Sequence, residues 1–408
     1  MTVTILAAAT FAIAVSFIHI ASIAIAIHRF RRPPRRAPLQ YPAVSLVRPL
    51  CGIDNYAEET LRSTFELDYP HYEILFCVAS AKDPVLPLVR SLIAENAAGA
   101  AAKLLIGDDR VSTNPKLNNV LKGWRAAAHD WIIIADSNVL MPRDYIQRLF
   151  ASWREDTGLV ASPPIGSRPD GIWAEIECAF LNTYQARWQY LVDSFGRGFA
   201  QGKTMLWRRA DLEHAGGIEA LAKEVAEDAA ATKIVREAGL KVRLIDRPLA
   251  QPLGHRSALE VWNRQLRWAR LRRASFFIYF VPEIFSGGVL PMVAVAIIAH
   301  EASWPVALCT TGFGAFWYGA EMLLAAAADW HAPLFYPLYG LGRDLLLPVL
   351  FVSALQGSDF VWRGNEMQVE RMQAQRRRVL ARVRPRVQKV AAGGRRRLRS
   401  LRERLSER

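Results

Sequence analysis

Long apolar runs near both ends of the chain constrain its fold most, because each is long enough to cross a bilayer. Residues 3–27 are apolar apart from Thr, Ser and one His, and about 20 such residues span the hydrocarbon core. A cleaved signal peptide is the alternative, but the run lacks a basic start and exceeds the usual apolar length of such peptides. We therefore expect residues 1–28 to form a retained membrane anchor.

The basic cluster over residues 28–36 sets the expected orientation of the chain. Arg and Lys beside a span stay on the cytoplasmic side. The N-terminus is then expected outside and the following region inside. This orientation predicts a multi-pass protein of the inner (cytoplasmic) membrane.

The C-terminal region, 276–360, contains three further apolar runs. Two of them, 284–301 and 303–327, are near bilayer length. The third, 333–356, contains the adjacent charges Arg343 and Asp344, and it either spans the membrane or lies re-entrant or interfacial.

The tail over 361–408 is strongly basic and has helical spacing of Leu and Val, so we expect a cytoplasmic tail that lies on anionic lipid. A cytoplasmic tail requires an even number of spans after the central region. This count favours two spans plus one non-spanning segment.

The amino-acid composition indicates which class of binding partner the chain has. The 408-residue chain is 51% hydrophobic and has a formal net charge of +14. Its basic clusters stand beside apolar runs, which favours an anionic membrane surface over a nucleic acid, and no nucleic-acid-binding motif is present. The four cysteines have neither metal-ligand nor disulfide spacing, which is typical of a reduced, cytoplasmic domain.

Between residues 40 and 275 short apolar stretches alternate with helical patterns, which predicts an α/β domain with a parallel sheet covered by helices on both faces. The expected strands are 44–47, 73–79, 103–107, 131–135, 158–162 and 241–245, with 199–207 extended. The expected helices are 54–67, 85–97, a helix from the 114–119 loop to 128, 142–153, 172–192, one beginning at 226, and 256–274.

Asp136 directly follows the most apolar of these strands, 131–135. Ligands of open α/β sheets bind outside the carboxyl ends of the strands. A carboxylate there can hold a divalent cation, and the cation can hold phosphates. A helix or turn cap is an equally good interpretation of Asp136 taken alone.

Three carboxylates and one basic helix form a set. Asp83 follows the second strand, Asp136 ends the fourth, and Asp228 stands at a helix start. Their order, followed by Arg264-Gln265-Leu266-Arg267-Trp268, resembles the D, D, D, (Q/R)xxRW pattern of family 2 and family 21 glycosyltransferases.

Finer strings over about 40–275 narrow the resemblance to ceramide glucosyltransferases of family 21, bacterial type. The matching strings are Asn114-Pro115-Lys116-Leu117-Asn118-Asn119, Asp136-Ser137-Asn138, Gly202-Lys203-Thr204-Met205, Ala215-Gly216-Gly217 and Ala226-Glu227-Asp228. The resemblance implies a GT-A fold, a Rossmann-like nucleotide-diphospho-sugar transferase domain. One departure is Gln185-Ala186, where eukaryotic members carry His-Pro.

The resemblance also implies a donor site. Asp83 is expected at the uridine, and Lys116 and Asn118 at the nucleotide sugar. Asp136 is expected to hold Mg²⁺ or Mn²⁺, which would neutralise the charge that develops on the diphosphate.

The remaining motif residues are expected around the reacting centre. Asp228 matches the general base that deprotonates the acceptor hydroxyl. Arg264, Arg267 and Trp268 share one helix face by their spacing. The two arginines are suited to binding the diphosphate, and Trp268 could stack at the acceptor site. The alternative is that this helix is a basic amphipathic helix that faces lipid and has no part in the site.

These expectations predict an inverting enzyme that moves a hexose, glucose in the first instance, from a UDP-sugar to a ceramide-type lipid hydroxyl. The product would be a β-glycosphingolipid. Diacylglycerol, or a hopanoid polyol with an N-acetylglucosamine donor, are alternative acceptors. A non-catalytic membrane binding protein is the alternative of a different class.

Overall fold

A seven-stranded mixed sheet forms the centre of the α/β domain. The computed structural model describes residues 3–33, 41–97, 99–357, 359–362 and 365–368. The strands in chain order are β1 (Val44–Leu50), β2 (Tyr72–Val78), β3 (Ala101–Ile106), β4 (Trp131–Ala135), β5 (Thr157–Ala161), β6 (Pro164–Asp170), β7 (Thr204–Arg208), β8 (Lys241–Leu244), β9 (Leu249–His255), β10 (Asp359–Trp362) and β11 (Asn365–Gln368).

The order across the large sheet is β3-β2-β1-β4-β7-β5-β8. All neighbours pair in parallel except β7, which runs antiparallel to both β4 and β5. The sequence predicted a parallel sheet, and the antiparallel strand β7 overlaps the segment 199–207 that was expected only to be extended. The pairing of Ala135 with Thr204 brings the backbone of Lys203 to Asp136, whose N–H donates to the Lys203 carbonyl at 3.0 Å.

Helices cover both faces of the sheet, as predicted. The α-helices in chain order are α1 (Val3–Arg31), α2 (Ala57–Arg62), α3 (Leu86–Glu95), α4 (Pro115–Ala126), α5 (Tyr145–Ala151), α6 (Ile172–Ala179), α7 (Arg187–Ser194), α8 (Arg209–His214), α9 (Glu227–Glu237), α10 (Ala258–Ser275), α11 (Phe277–Phe280), α12 (Val289–Glu301), α13 (Val306–Ala328) and α14 (Tyr336–Gln356).

Alternate residues of β4 pack on opposite faces. Ile132 and Ile134 are buried in a cluster with α4 and α9, whereas Ile133 is buried in a cluster with α5. Burial on both faces explains the continuous apolar run of this strand. It also fixes the position of its polar end, Asp136, at the rim of the sheet.

Two helix predictions need correction. The helix expected over 54–67 is confined to α2. The helix expected over 172–192 is interrupted by a π-helical segment, Phe180–Ala186, between α6 and α7. One-turn π segments often occur at functional sites, because the extra residue per turn redirects the following side chains.

Neither of the two small, two-stranded sheets was predicted. Strands β6 and β9 pair in parallel beside the main sheet, and neither was expected, because their Pro and Gly residues are typical of loops. Strands β10 and β11 form an antiparallel hairpin where a helical tail was expected. The rest of the basic tail, from 369 to 408, lies outside the described residues.

Within the described residues, three helical segments are long and apolar enough to cross a membrane: Val3–Arg31, Phe277–Glu301 and Tyr336–Gln356. The fourth long helix, α13, has 23 residues and packs against α1, α12 and α14. Phe277–Glu301 is not one continuous helix, since a 3₁₀ turn and two glycines separate α11 from α12. The division into two C-terminal spans plus one non-spanning segment stays a prediction.

The predicted charges of the last apolar run are buried among the helices. Arg343 on α14 lies 2.7 Å from Asp344 and 3.0 Å from Glu321 on α13, and all three side chains are inaccessible. Arg343 also donates to Thr183 of the π-helical segment at 3.1 Å. This buried ion cluster therefore ties α13 and α14 to the α/β domain. A buried ion pair is costly to break but stabilises little relative to apolar packing.

The base of α1 is fixed to the same domain. Arg29 donates to Asp193 of α7 at 2.5 Å and to the carbonyl of Leu244, the last residue of β8, at 2.7 Å. Phe30 packs edge-on against Tyr190. These contacts hold the sheet close to the end of α1.

Arg48 in β1 generates a stability prediction. Its fully buried guanidinium donates to the carbonyls of Thr60, Asp136 and Ser137 at 2.8–3.0 Å. Arg48→Met removes these three buried hydrogen bonds, so it should lower the free energy of unfolding by roughly 2–3 kcal/mol. Denaturant unfolding of the full chain in detergent, followed by Trp fluorescence, measures the change.

Arg125→Met is the matched control. Arg125 pairs with Glu219 on the surface, and the loss of an exposed pair should cost less than about 1 kcal/mol. Equal destabilisation by the two substitutions would contradict the role given to Arg48.

Candidate active site

The ammonium of Lys116 lies at the centre of the polar site. Asn114 caps α4 by accepting from the backbone N–H of Lys116 at 2.9 Å, so Lys116 stands in the first helical turn and not in a loop as predicted. Its Nζ lies 2.7 Å from Asp136 Oδ1 and 2.8 Å from Glu227 Oε1, and it donates to the carbonyl of Gly202. Burial opposes the charge on Lys116, but the two carboxylates outweigh it and raise its pKa.

Asp136 binds a second lysine. Nζ of Lys203 lies 3.0 Å from Asp136 Oδ2 and donates to Oδ1 of Asn138 at 3.0 Å. Burial alone would raise the pKa of Asp136, but Lys116 and Lys203 lower it to about 2. Asp136 is thus ionised at any physiological pH. Both of its oxygens face ammonium groups.

Asp228 has the opposite electrostatic character. It stands in the first turn of α9, where its oxygens accept from the N–H of Gly202 at 3.1 Å and of Ala229 at 2.8 Å. Burial, and then the like charge of Glu227, raise its pKa to about 6, although Lys116 and the two hydrogen bonds work against the rise. A carboxylate with this pKa can accept a proton near neutral pH.

A cleft of about 1370 Å³ connects these residues with most of the predicted set. Seven of the eight predicted site residues line it: Lys116, Asn118, Asp136, Asp228, Arg264, Arg267 and Trp268. Asp83 is not among the lining residues. Its carboxylate accepts from the N–H of Gly52 at 3.1 Å and of Val85 at 3.0 Å, so it shapes the loop after β1.

Asn118 also acts on a loop. Its Oδ1 accepts from the backbone N–H groups of Val111 and Ser112 at 3.1 and 2.9 Å, and its Nδ2 donates to the Ser112 carbonyl. The loop held in this way contributes Arg110 and Thr113 to the cleft wall.

Helix α10 forms the opposite wall. A capping box of Ser257 and Glu260 starts it. Nη1 of Arg264 lies 2.5 Å from Oε1 of the fully buried Glu177, which orients the guanidinium. Trp268 packs partly against the Cys178 cluster. The expected shared face of Arg264, Arg267 and Trp268 is thus turned to the cleft.

The lining of the cleft combines two kinds of residue. Its polar part comprises the lysines and carboxylates, and its apolar part comprises Trp188, Val192, Phe199, Tyr279 and Phe280. Tyr279 and Phe280 belong to the first turns of the candidate span Phe277–Glu301. The apolar part of the lining therefore includes the start of a candidate membrane span.

The residues present fit a divalent cation only together with a phosphate ligand. Over the described ranges, no group of three or more His, Cys, Asp or Glu is placed to hold a metal. Mg²⁺ is commonly held by one or two carboxylates plus substrate phosphates. Asp136 can supply one carboxylate, so an ion would arrive with a diphosphate and share Asp136 with the two lysines.

Sequence reasoning assigned no role to Lys203, Glu177 or Arg48. Lys203 stood in the quoted Gly202-Lys203-Thr204-Met205 string, which was the available signal. Its contact with Asp136 depends on the antiparallel direction of β7, and a strand's direction is not readable from its own residues. Glu227 was noted only as a neighbour of Asp228, although it holds Lys116 and Asn114.

Gly202 generates a test of this geometry. A Cβ at Gly202 would lie 2.9 Å from Glu227 Oε1, 3.0 Å from Lys116 Nζ and 3.5 Å from Asp228 Oδ2. Gly202→Ala should displace these groups and lower the turnover rate roughly 10- to 100-fold, because small shifts of reacting groups are costly. Gly312→Ala on α13, where a Cβ meets nothing within 4 Å, is the control. Unchanged turnover in Gly202→Ala would contradict the described packing.

Comparisons with known proteins bear on the family of the chain. Residues 5–374 match glycosyl transferase family 21. Ceramide glucosyltransferase 1 of Caenorhabditis elegans is 28% identical over 360 residues, covering 86% of this chain and 77% of its own length. Ceramide glucosyltransferase of Komagataella phaffii is 24% identical over 436 residues, covering 83% and 84%.

Among solved structures, a mannosyltransferase of Pyrobaculum calidifontis, in complex with GDP-Man and Mn²⁺, aligns with 85% of this chain and 97% of its own at 18% identity and a TM-score of 0.47. The α/β domain flanked by apolar helices confirms the predicted fold class. With the match over residues 5–374, the chain belongs to glycosyl transferase family 21 and is a glycosyltransferase.

Proposed function

We propose that the chain transfers a hexose, glucose in the first instance, from a UDP-sugar to the hydroxyl of a ceramide-type membrane lipid. The observation that carries this proposal is one cleft with two carboxylates of opposite character. Asp136 has a pKa of about 2 and is held by two lysines, whereas Asp228 has a pKa of about 6. Such a separation is typical of carboxylates with different catalytic roles. The names of the C. elegans and K. phaffii relatives support the lipid acceptor and the sugar.

The donor diphosphate is assigned to the polar part of the cleft lining. Lys116, Lys203 and Arg264 supply cationic groups there, and Arg267 lies on the same helix face. A divalent cation, Mg²⁺ or Mn²⁺, would be held by Asp136 and the diphosphate and would stabilise the leaving group. Asp83 remains our candidate for the uridine end, where it supports the loop of Gly52.

Asp228 is assigned as the general base. It takes the proton of the lipid hydroxyl while that oxygen attacks the anomeric carbon. The bond between the anomeric carbon and the diphosphate oxygen breaks, and UDP leaves with its electron pair. A single displacement inverts the anomeric centre, so an α-linked donor gives a β-glycoside.

The lipid acceptor is assigned to the apolar part of the cleft lining. Phe277, Ile278 and Tyr279 are 56%, 81% and 60% exposed at the start of the candidate span Phe277–Glu301. A surface of this kind beside the cleft suits a bilayer, because large exposed apolar side chains are unusual on soluble surfaces. With the basic end of α1, this surface supports a catalytic face at the cytoplasmic side of the inner membrane.

Product analysis tests the proposal. Membranes containing the chain are incubated with UDP-glucose, UDP-galactose or UDP-N-acetylglucosamine, and with ceramide, diacylglycerol or a hopanoid polyol. Mass spectrometry should detect hexosylceramide as the main product, and excess EDTA should reduce its yield. Transfer to diacylglycerol or a hopanoid alone would mean that ceramide is not the acceptor. Full activity in excess EDTA would mean that transfer needs no divalent cation.

The acid limb of the pH profile follows from the environment of Asp228. Only the ionised base is active, so kcat/KM should fall as pH drops through about 6. Glu227→Gln removes the like charge that helps to raise the pKa of Asp228, so the limb should move to lower pH. The surface variant Glu219→Gln should leave the limb in place. If the acid limb of Glu227→Gln lies at the same pH as in the wild type, or at a higher pH, Asp228 is not the titrating base.

A further inference from the structure

Glu177 of α6 holds two arginines of the cleft wall on one carboxylate. The Glu177 side chain is fully buried. Its Oε1 lies 2.5 Å from Nη1 of Arg264, and its Oε2 lies 3.7 Å from Nε of Arg256. Both arginines line the cleft. Because each arginine contacts one oxygen of the same carboxylate, the two guanidinium groups lie side by side at the cleft wall.

Arg256 is the less satisfied of the two arginines. It stands between β9 and α10, and its contact with Glu177 is an ion pair that is too long for a hydrogen bond. Nε of Arg256 is buried without a hydrogen-bond partner among the described residues. Its two terminal nitrogens also make no hydrogen bond to those residues but, unlike Nε, they retain accessible surface where Arg256 lines the cleft. These terminal N–H groups are therefore open to a ligand.

The two guanidinium groups repel each other. Burial, and then the like charge of Arg264, lower the pKa of Arg256, although Glu177 and two more distant carboxylates oppose this. Glu177 carries one negative charge for two positive ones. An anion that contacts both arginines offsets their repulsion, so the pair is suited to a multiply charged anion.

The pair lies near groups that already have a place in the proposed reaction. Burial lowers the pKa of Lys203 against the attraction of Asp136, and the charge of Arg264 lowers it further. On α10, Arg264 stands one turn before Trp268, the residue predicted at the acceptor. Arg264 is thus close enough to the Lys203 ammonium to affect it, and one helical turn from the predicted acceptor residue.

We propose that Arg256 and Arg264, positioned by Glu177, bind the second phosphate of the nucleotide donor, the phosphate that carries the sugar. The inference rests on the proposed function, and it adds Arg256 as a binding residue and Glu177 as a positioning residue. Planar guanidinium groups match the oxygens of a phosphate. The oxygen of this phosphate keeps the electron pair when its bond to the anomeric carbon breaks, so cationic groups are most useful there.

The experiment compares the binding of UDP and UMP, which differ only in the second phosphate. Calorimetry with the full-length chain in detergent, at one fixed Mn²⁺ concentration, gives the affinity of each nucleotide. The variants are Arg256→Met and Glu177→Gln. Binding of UMP by a variant also shows that the variant is folded.

Each variant has a matched control. Arg236 lines the same cleft, but its Nη2 donates to the carbonyls of Arg197 and Gly198 at 2.8 and 3.1 Å. Glu175 lies on α6 like Glu177 and also forms an ion pair, with His331 at 2.9 Å. Arg236→Met and Glu175→Gln should both keep the wild-type preference for UDP over UMP.

Arg256→Met should weaken UDP binding about tenfold and leave UMP binding unchanged, because it removes a charge-assisted contact with one phosphate. Glu177→Gln should reduce the preference for UDP at least about threefold, because the arginines lose the carboxylate that orients them. The direction of this change is diagnostic. If Glu177 acted only through its negative charge, its removal would strengthen UDP binding.

An unchanged preference in Arg256→Met, or an equal loss of UDP and UMP affinity, overturns the inference. Tighter UDP binding by Glu177→Gln overturns the positioning role. A wild type that binds UDP no better than UMP has no site for the second phosphate, and this result needs no variant. If the wild type binds neither nucleotide but does bind another nucleoside diphosphate, the proposed function fails with the inference. Transfer from UDP-glucose with an unchanged preference in both variants leaves the proposed function standing and removes only the roles of Arg256 and Glu177.

Discussion

The ammonium of Lys116 is the contact on which the rest of the site depends. It joins the start of α4 to Asp136 after β4, to Glu227 on α9 and to the Gly202 carbonyl before β7. Two ammonium groups, from Lys116 and Lys203, face Asp136 and Glu227. Among the described residues, Asp228 forms no ion pair with either lysine, and burial together with the like charge of Glu227 raises its pKa to about 6 despite Lys116. A strongly acidic carboxylate and a weakly acidic one therefore lie in the same cleft.

Much of this arrangement was predictable from the sequence. The apolar strands with polar ends indicated an α/β sheet, and the resemblance of the motifs to those of family 21 indicated that Asp136 and Asp228 line one site. The direction of β7 was not predictable, because direction is set by packing between distant segments. For the same reason Lys203 was missed. Asp83 illustrates the converse: it follows the second strand as predicted, but its carboxylate accepts backbone N–H groups and does not line the cleft.

Helices α13 and α14 contribute to the cleft through the π-helical segment. One side of this segment contacts the buried ion cluster, where Thr183 bonds to Glu321 and Arg343. The same segment places Tyr184 and Gln185 on the cleft wall. This part of the wall is therefore built on the backbone turn that contacts α13 and α14. The shape of the cleft thus depends on the packing of the C-terminal helices.

The division of labour between Asp136 and Asp228 is tested most directly by measuring UDP binding and sugar transfer on the same preparations of Asp136→Asn and Asp228→Asn. The account predicts that Asp228→Asn binds UDP as the wild type does while its transfer rate falls about 10²- to 10⁴-fold, the usual loss of a general base. Asp136→Asn should lose affinity for UDP measured with Mn²⁺. Wild-type transfer by Asp228→Asn, or lost UDP binding in that variant with binding intact in Asp136→Asn, would contradict it.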